Sequence, residues 1–357
     1  MKFYMPTKIF SEKNCIANHS EELAALGSHA LIITGKNSSR LNGSLDDVIN
    51  ALNKHSVTYT IFDRTEENPS VETVMAARDT GIRCGADLVI GIGGGSPIDA
   101  AKAAALMIKN SDKPWGFLYE TFPAEALPMV AVPTTCGTGS EATGVSVLTR
   151  HDMRTKLSVK HKVFPEIALI DGRYLLSAPT DVLANTAIDA LSHLIESAVS
   201  TLADTYSDMT VFPGLELWAK CRPFIEGTRQ LDEDAAQSLM DTAALAGMSI
   251  AQTGTAIPHS LSYMLTYEAG VPHGAAVGAF LAKYLKYVDS DRQKVILSAA
   301  GFTDTAELGQ FISGLAPVSA DRKLLERSAA SVLANKAKLS LCPYPLTESI
   351  MADIIDI

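Results

Sequence analysis

Two polar side chains lie four residues apart in a helical segment rich in Ala, Ile and Leu, TDVLANTAIDALSHLIESAVS. Residues i and i+4 project from the same face of an α-helix, so Asp189 and His193 can share one ion. The Ala, Ile and Leu residues around Asp189 indicate partial burial, and a buried carboxylate needs a partner. Further along the chain, His259 follows a proline near a predicted helix start, and His273 lies in VPHGAAVG.

Three histidines and one carboxylate would suit a borderline divalent metal, Fe(II) or Zn(II), and would leave coordination positions open to substrate. Taken singly, each histidine is more often a packed or solvated residue than a ligand. Spacing alone does not assemble the four residues. The remaining histidines are interpreted as packed or solvated: His19, His29, His55, His151 and His161.

The segment GIGGGSPIDAAK, residues 91–102, follows an apolar strand and opens a predicted helix with Pro97 near its first turn. Backbone N–H groups at such a helix start can bind an anion, and glycines let a phosphate approach the backbone closely. The alternative is a tight strand-to-helix turn that binds no ligand.

A second segment, PTTCGTGSE, residues 133–141, also follows a strand and carries three threonine hydroxyls and one serine hydroxyl around two glycines. Hydroxyls and bare backbone amides suit a diphosphate or a ribose. A polar surface loop without a ligand is the alternative.

The segment TGKNSSR, residues 34–40, ends the first clear strand, where nucleotide-binding folds read the adenosine ribose. An acidic residue there would bind the 2′-hydroxyl and repel a 2′-phosphate. This chain instead has Gly35, followed by side chains that can donate to phosphate, which favours NADP(H) over NAD(H). The alternative is an exposed loop without this role. The candidate cofactor contacts here are Gly35, Ser38, Ser39 and Arg40.

Five short apolar runs (ALIITG, YTIFD, DLVIGIGGG, MVAVPTT and IALID) alternate with helical patterns between Ala30 and about Asp171. This alternation predicts a mostly parallel sheet covered by helices, with helices at VETVMAARDTGIRC and PIDAAKAAALMIK. After about Pro179 the strand pattern fades and helical patterns dominate. We therefore predict an α/β nucleotide-binding domain over residues 1–178 and an all-α metal-binding domain over 179–357.

The composition agrees with an ordinary enzyme: the chain has 357 residues, 47% of them hydrophobic and 20% charged. A net charge of -10 without basic clusters argues against a nucleic-acid partner. Five cysteines without a CxxC pair argue against a disulfide framework. The start MKFYMPTKIF has no long apolar stretch, and no apolar run of about 18 residues occurs, so we expect a cytoplasmic protein without a membrane span.

In order and spacing, GGGSPIDAAK, PTTCGTGSE, DALSHLIE and the histidines in PHSLSYML and VPHG resemble the iron-containing (group III) alcohol dehydrogenase family over nearly the whole chain. The resemblance implies a dehydroquinate-synthase-like fold with the metal between the two domains. It also implies an NAD(P)-dependent alcohol dehydrogenase or aldehyde reductase that acts on a small alcohol or aldehyde. Because MKFYMPTKIF resembles a strand that pairs between subunits in relatives, a homodimer is expected.

The resemblance also implies roles for individual residues. The metal ligands would be Asp189, His193, His259 and His273. The pyrophosphate would be held by Gly93, Gly94, Gly95 and Ser96, with Asp99 lining that site. The rest of the cofactor would be contacted by Thr134, Thr135, Thr138 and Ser140, and the nicotinamide ribose would lie near Lys156.

One position departs from the family pattern. Many members have a second, non-ligand histidine four residues after the third ligand, where it can relay a proton, and this chain has Tyr263 there. Tyrosine can donate a proton, but its ordinary pKa of about 10 makes it a poorer shuttle at neutral pH. The proton route can use Tyr263 or water together with a ribose hydroxyl.

Three other functions remain open from the residues alone. A lyase or cyclase of the dehydroquinate synthase type would need basic side chains near the metal, and none flank DALSHLIE or PHSLSYML. A nucleotide-binding protein without catalysis would have no need for a buried carboxylate near three histidines. A reductase of an acidic aldehyde or keto acid would need an arginine at the substrate, for which Arg150, Arg154 and Arg173 are candidates.

Overall fold

The structure, a computed structural model, describes residues 3–357. Its strands are β1 (Lys8–Ser11), β2 (His29–Thr34), β3 (Thr58–Phe62), β4 (Leu88–Gly93), β5 (Met129–Pro133), β6 (Val147–Arg150), β7 (Thr155–Ser158) and β8 (Ile167–Ile170). Its α-helices are α1 (Cys15–Asn18), α2 (Ser20–Ala24), α3 (Ser38–Leu41), α4 (Ser44–Lys54), α5 (Val71–Cys84), α6 (Gly95–Lys109), α7 (Thr180–Val199), α8 (Thr205–Ile225), α9 (Glu233–Thr253), α10 (Ile257–Ala269), α11 (His273–Leu285), α12 (Ser290–Ala299), α13 (Thr305–Leu315), α14 (Arg322–Leu333), α15 (Lys336–Leu339) and α16 (Glu348–Ile354). Short 3₁₀ turns occur at Trp115–Tyr119, Ser140–Ala142 and Gly172–Leu175.

Six strands form one sheet in the order β1-β8-β5-β4-β2-β3, and every neighbouring pair is parallel. Helices cover both faces of the sheet, which is why the central strands are continuously apolar. On β2, Leu31 and Ile33 pack with residues of α5 and α6, whereas Ala30 and Ile32 face residues of α4. The predicted parallel α/β architecture is confirmed, and all five predicted strands lie in this sheet.

The carboxyl ends of β4 and β5 bring two of the sequence motifs together. The two strands are adjacent and parallel, with Gly93 in register with Pro133. The N–H of Thr134 donates to the carbonyl of Gly93 at 2.9 Å. Because parallel strands end at the same edge of a sheet, the glycine loop before α6 and the threonine loop after β5 begin side by side.

An antiparallel hairpin of β6 and β7 was not predicted from the sequence. Its strands have four residues each, and the turn between them contains no glycine or asparagine. Instead, Arg154 adopts a positive φ of 52°. The usual signals of a two-residue hairpin turn are therefore missing from this segment.

The chain forms two compact units. One contains the sheet and comprises Met5–Ala178 together with Asp232–Ala244. The other is helical and comprises Pro179–Leu231 and Leu245–Ile357, with Phe3 and Tyr4. Within the described residues no strand follows Ile170, as predicted. The boundary at 178/179 as a division between domains stays a prediction.

In the helical unit, α11 packs against both α7 and α10. Among residues 3–357, no helix is long and apolar enough to cross a membrane.

Candidate functional site

Helix α7 presents the first pair of candidate ligands. Asp189 and His193 are 2% and 5% exposed, so both polar groups lie in the interior of the helical unit. One turn of helix separates them, and His193 Nε2 lies 4.0 Å from Asp189 Oδ1. The two side chains of the predicted i,i+4 pair therefore lie on the same face of α7, close enough to bind one ion.

A glycine at the start of α11 allows this helix to approach α7 closely. A Cβ added at Gly274 would lie 1.8 Å from the carbonyl oxygen of Asn185, one turn before Asp189. No side chain fits there, so the first turn of α11 rests directly on the backbone of α7. His273 is the first residue of α11, and its Nε2 lies 3.7 Å from Asp189 Oδ1.

His259 lies in the first turn of α10, directly after Pro258, whose fixed φ suits a helix start. Its Nε2 is 3.4 Å from Asp189 Oδ1. The imidazole centroids of His193 and His259 are 4.3 Å apart, and those of His259 and His273 are 5.5 Å apart. Three helices thus direct three imidazole Nε2 atoms at a single carboxylate oxygen.

This donor set fits a divalent metal. Metal bonds of about 2.1 Å place neighbouring ligand atoms about 3–4 Å apart, as the distances to Asp189 Oδ1 are. Donor atoms of Asp189, His193 and His259 all lie within 4.8 Å of one another, whereas His273 falls outside this group of three. Within residues 3–357, the buried Asp189 Oδ1 and His259 Nε2 make no hydrogen bond. A metal would satisfy both atoms.

The electrostatics of the cluster also favour a cation. Burial alone would raise the pKa of Asp189, but the imidazoles of His193, His273 and His259 hold it well below its usual range. Burial would likewise lower the pKa of His259, but Glu196 and Asp189 outweigh it and raise this pKa to about 9. Two buried carboxylates therefore attract positive charge to the centre of the cluster.

Glu196 was missed in the sequence. It lies on α7, seven residues after Asp189, and its side chain is fully buried. Its Oε2 accepts a hydrogen bond from His259 Nδ1 at 2.5 Å. A second carboxylate in an apolar helix, on the same face as the first pair, was the signal that could have identified it.

Tyr263 follows His259 by one turn of α10. Its ring centroid lies 6.5 Å from that of His273, and the two ring planes differ by 24°. The phenol therefore stands beside one candidate ligand. Its role as a proton relay stays a prediction.

In the sheet unit, the glycine loop and the threonine loop pack directly against each other. A Cβ added at Gly94 would lie 2.9 Å from Thr135 Oγ1, and one at Gly95 would lie 2.7 Å from Thr138 Cγ2. Helix α6 begins at Gly95, and its N-cap residue provides no side-chain hydrogen bond. A bare helix start flanked by hydroxyls can bind an anion. The pyrophosphate roles of these residues and of Gly93 stay predictions.

A fully buried lysine connects α6 with the threonine loop. Lys102 Nζ donates to the carbonyl oxygens of Ser140 (2.6 Å) and Val145 (2.8 Å), to Ser140 Oγ (2.7 Å) and to Thr143 Oγ1 (3.2 Å). Asp99 lies 3.8 Å from Lys102 Nζ and accepts a hydrogen bond from Ser140 Oγ at 2.6 Å. Asp99 and Ser140 are thus hydrogen-bonded to each other. Lys102 was not identified as a site residue from the sequence.

Two other predicted cofactor residues meet at Asn68, which was also missed. Lys156 Nζ donates to Asn68 Oδ1 at 3.1 Å, and the N–H of Asn68 donates to Ser96 Oγ at 3.0 Å. Asn68 adopts a positive φ of 55°, which asparagine tolerates better than most residues. This loop joins the glycine loop to the β6–β7 hairpin.

The segment after β2 contains both buried and exposed candidate residues. Ser39 is buried, and its Oγ accepts a hydrogen bond from Thr34 Oγ1 at 2.8 Å. Ser38 and Arg40 are exposed, and Arg40 Nη2 lies 3.2 Å from Asp63 Oδ2. An added Cβ at Gly35 would be 3.6 Å from the carbonyl of Thr65, an ordinary contact. The roles of these residues toward the cofactor stay predictions.

Glu141, at the end of the threonine loop, is expected to make stability depend on pH. Burial raises its pKa from an ordinary value of 4.5 to about 7, although Lys102 opposes this shift. Between these two pH values the folded protein holds a proton that the unfolded chain has released, so stability falls as pH rises through this window and levels off above it. The expected loss over the whole window is roughly 3 kcal/mol.

The variant Glu141→Gln lacks this titration. Its free energy of unfolding, measured with urea at pH 5 and pH 8, should change less than that of the unsubstituted protein. Parallel pH profiles for the two proteins would contradict this assignment.

A parallel α/β unit with a glycine loop at a bare helix start, together with a helical unit carrying a three-histidine, one-aspartate cluster, is typical of metal-dependent nicotinamide oxidoreductases. Residues 6–172 match the family model of the iron-containing alcohol dehydrogenases, and residues 183–308 match the C-terminal model of the same family. The chain belongs to the iron-containing alcohol dehydrogenase family. The family confirms an NAD(P)-dependent alcohol dehydrogenase that acts on small-molecule alcohols or aldehydes.

Individual relatives agree with this placement. The chain is 28% identical to an NADPH-dependent butanol dehydrogenase of Clostridium saccharobutylicum over 80% of this chain and 74% of that protein. It is 30% identical to a sulfoacetaldehyde reductase of Bilophila wadsworthia over 77% of this chain and 71% of that protein. The crystal structure of an iron-containing alcohol dehydrogenase from Thermotoga maritima superimposes with a TM-score of 0.91, at 34% identity, over 99% of this chain and 98% of that one.

Proposed function

We propose that this protein reduces a small, uncharged aldehyde to a primary alcohol, or catalyses the reverse reaction, with NADP(H) and an Fe(II) ion held by Asp189, His193, His259 and His273. The observation that carries the proposal is the convergence of three imidazole Nε2 atoms on Asp189 Oδ1, at 3.4 to 4.0 Å. Zn(II) has the same preference for this ligand set.

The residues of this chain would hold the metal and the cofactor and orient the substrate. The four ligand side chains are fixed by three helices, and the buried surroundings of Asp189 keep its charge unscreened. When bound, a divalent metal supplies a Lewis acid to the substrate oxygen. The glycine loop before α6 would bind the diphosphate of the nicotinamide cofactor, which would supply or accept the hydride. Tyr263, beside His273, is our candidate donor of the proton.

Two features support NADP(H) over NAD(H). No acidic residue directly follows β2, where a carboxylate would repel a 2′-phosphate. Ser38 and Arg40 are exposed in this segment, and Ser38 can donate a hydrogen bond to a phosphate. Arg40 pairs with Asp63 at 3.2 Å, but both side chains are exposed, and such surface pairs are weak enough for a phosphate to replace the aspartate. One relative, the butanol dehydrogenase, is named as NADPH-dependent.

Two of the three candidate arginines, Arg150 and Arg173, favour an uncharged substrate. Arg150 is bonded to Asp152 through Nε (2.8 Å) and Nη2 (2.7 Å). Arg173 Nη2 lies 2.7 Å from Asp171 Oδ2 and 3.1 Å from Asp47 Oδ2. Because their charges are already matched by aspartates, neither supplies an unmatched cation for an acidic aldehyde.

The test is cofactor oxidation by metal-stripped enzyme and by enzyme reconstituted with Fe(II) or Zn(II). We expect the reconstituted enzyme to oxidise NADPH in the presence of butanal, and the stripped enzyme to show almost no turnover. NADH should be oxidised more slowly, and sulfoacetaldehyde should be a poorer substrate than butanal.

Each part of the proposal is contradicted by a different result of this test. Absence of NADPH and NADH oxidation with every aldehyde would overturn the proposed reaction. Faster oxidation of NADH would overturn the cofactor preference alone. A preference for sulfoacetaldehyde over butanal would overturn the uncharged substrate class.

A further inference from the structure

Both carboxylate oxygens of Glu196 accept hydrogen bonds from the start of α10. Glu196 is 0% exposed, and each of its oxygens accepts hydrogen bonds from residues 256–259. Oε2 accepts from His259 Nδ1 at 2.5 Å and from the N–H of Ala256 at 3.3 Å. Oε1 accepts from the N–H of His259 at 3.2 Å. One side chain of α7 therefore holds both the backbone and the imidazole of His259.

The bond to Nδ1 determines what the other imidazole nitrogen can do. When Nδ1 carries the hydrogen that it donates to Glu196, the lone pair of a neutral imidazole lies on Nε2. Nε2 is the atom that faces Asp189 Oδ1 at 3.4 Å. The bond also limits rotation of the ring, so Nε2 stays directed at the candidate metal position.

The hydrogen bonds from the backbone N–H groups of Ala256 and His259 to Glu196 also connect α10 with α7. The first turn of an α-helix has N–H groups without partners inside the helix. Ala256, at the N-cap of α10, provides no side-chain hydrogen bond of its own. Glu196 supplies the missing acceptor, so the orientation of α10 is tied to the helix that carries Asp189 and His193.

We infer that Glu196 is a positioning residue for the metal: it fixes the ring and tautomer of His259 and thereby increases the affinity of the site. This inference rests on the proposed metal site. Partners of this kind are typically worth a factor of about 10–100 in metal affinity. A purely structural role, as a cap of α10, would stabilise the protein without this effect on the metal.

The experiment compares the Zn(II) affinity of the full chain and its variants by competition with a chromogenic chelator. Glu196→Gln keeps the size of the side chain and one acceptor oxygen for the backbone, but it loses the charge and the second acceptor. We expect its Zn(II) affinity to fall by about 10- to 100-fold, with unchanged NADPH affinity. Glu196→Asp keeps the charge, but its shorter side chain moves the carboxylate away from His259 Nδ1. If Glu196→Gln does not fold, the Zn(II) affinity of Glu196→Asp is measured instead, and we expect it to be reduced as well.

Asp304→Asn is the matched control, because Asp304 caps α13 in the same unit by accepting from the N–H of Glu307 at 2.8 Å. It should bind Zn(II) like the unsubstituted protein. A folded Glu196 variant with normal Zn(II) affinity and reduced thermal stability would overturn the positioning role. If the unsubstituted protein does not bind Zn(II), or if His259→Ala binds it equally well, the proposed metal site itself fails.

Discussion

Replacing His259 with alanine is expected to abolish metal-dependent turnover while cofactor binding survives. The substitution removes a ligand atom 3.4 Å from Asp189 Oδ1 and also the donor to Glu196. Two buried carboxylates then remain near His193 and His273, and the set no longer has the four ligands of the proposed site. Loss of a Lewis acid costs several kcal/mol of transition-state stabilisation, so we expect aldehyde reduction to fall by about 1000-fold or more.

The measurement is steady-state NADPH oxidation with butanal, together with the metal content of the purified variant. NADPH binding, measured by the fluorescence of the cofactor, should be unchanged. His55→Ala is the matched control, because it removes an imidazole of the sheet unit that contacts Ser20 Oγ at 3.1 Å. Full activity of His259→Ala would refute the ligand assignment.

Replacing Lys102 with methionine is expected to destabilise the sheet unit and to weaken cofactor binding. Burial lowers the pKa of Lys102 to about 8, although Asp99 and Glu141 oppose this shift. Methionine fills similar space but donates no hydrogen bond, so the carbonyls of Ser140 and Val145 lose a partner. Breaking a buried, hydrogen-bonded charge network costs about 3–5 kcal/mol.

Urea unfolding and NADPH titration measure the two effects of Lys102→Met. The dissociation constant for NADPH should rise, because Lys102 holds the threonine loop near the helix that begins at the glycine loop. Lys109→Met, at the exposed end of the same helix, should change stability by less than about 0.5 kcal/mol. Equal stability and equal NADPH affinity of the two variants would contradict the role assigned to Lys102.

The regular part of the fold could be predicted from local pattern. Helix α5 coincides with the predicted stretch VETVMAARDTGIRC, because its periodicity, its serine cap and the following glycine all agree. The β6–β7 hairpin could not be predicted in the same way. Its strands are too short for a clear alternation, and its turn places an arginine, Arg154, at positive φ.

For the candidate site, the sequence provided the i,i+4 pair on α7 but not the approach of the other helices. The position of His273 depends on contact between the first turn of α11 and the backbone at Asn185, which only a glycine at position 274 allows. Such close approaches follow from packing rather than from periodicity. Glu196 and Lys102 could have been recognised as charged residues isolated among apolar helix neighbours.

The most direct test of the metal centre is an anomalous difference map, recorded at the iron absorption edge from crystals of the Fe(II)-loaded protein. We predict one peak about 2.0–2.3 Å from Asp189 Oδ1 and from the Nε2 atoms of the three histidines. A peak coordinated by other residues, or no peak at this cluster in protein that turns over with iron, would contradict the account.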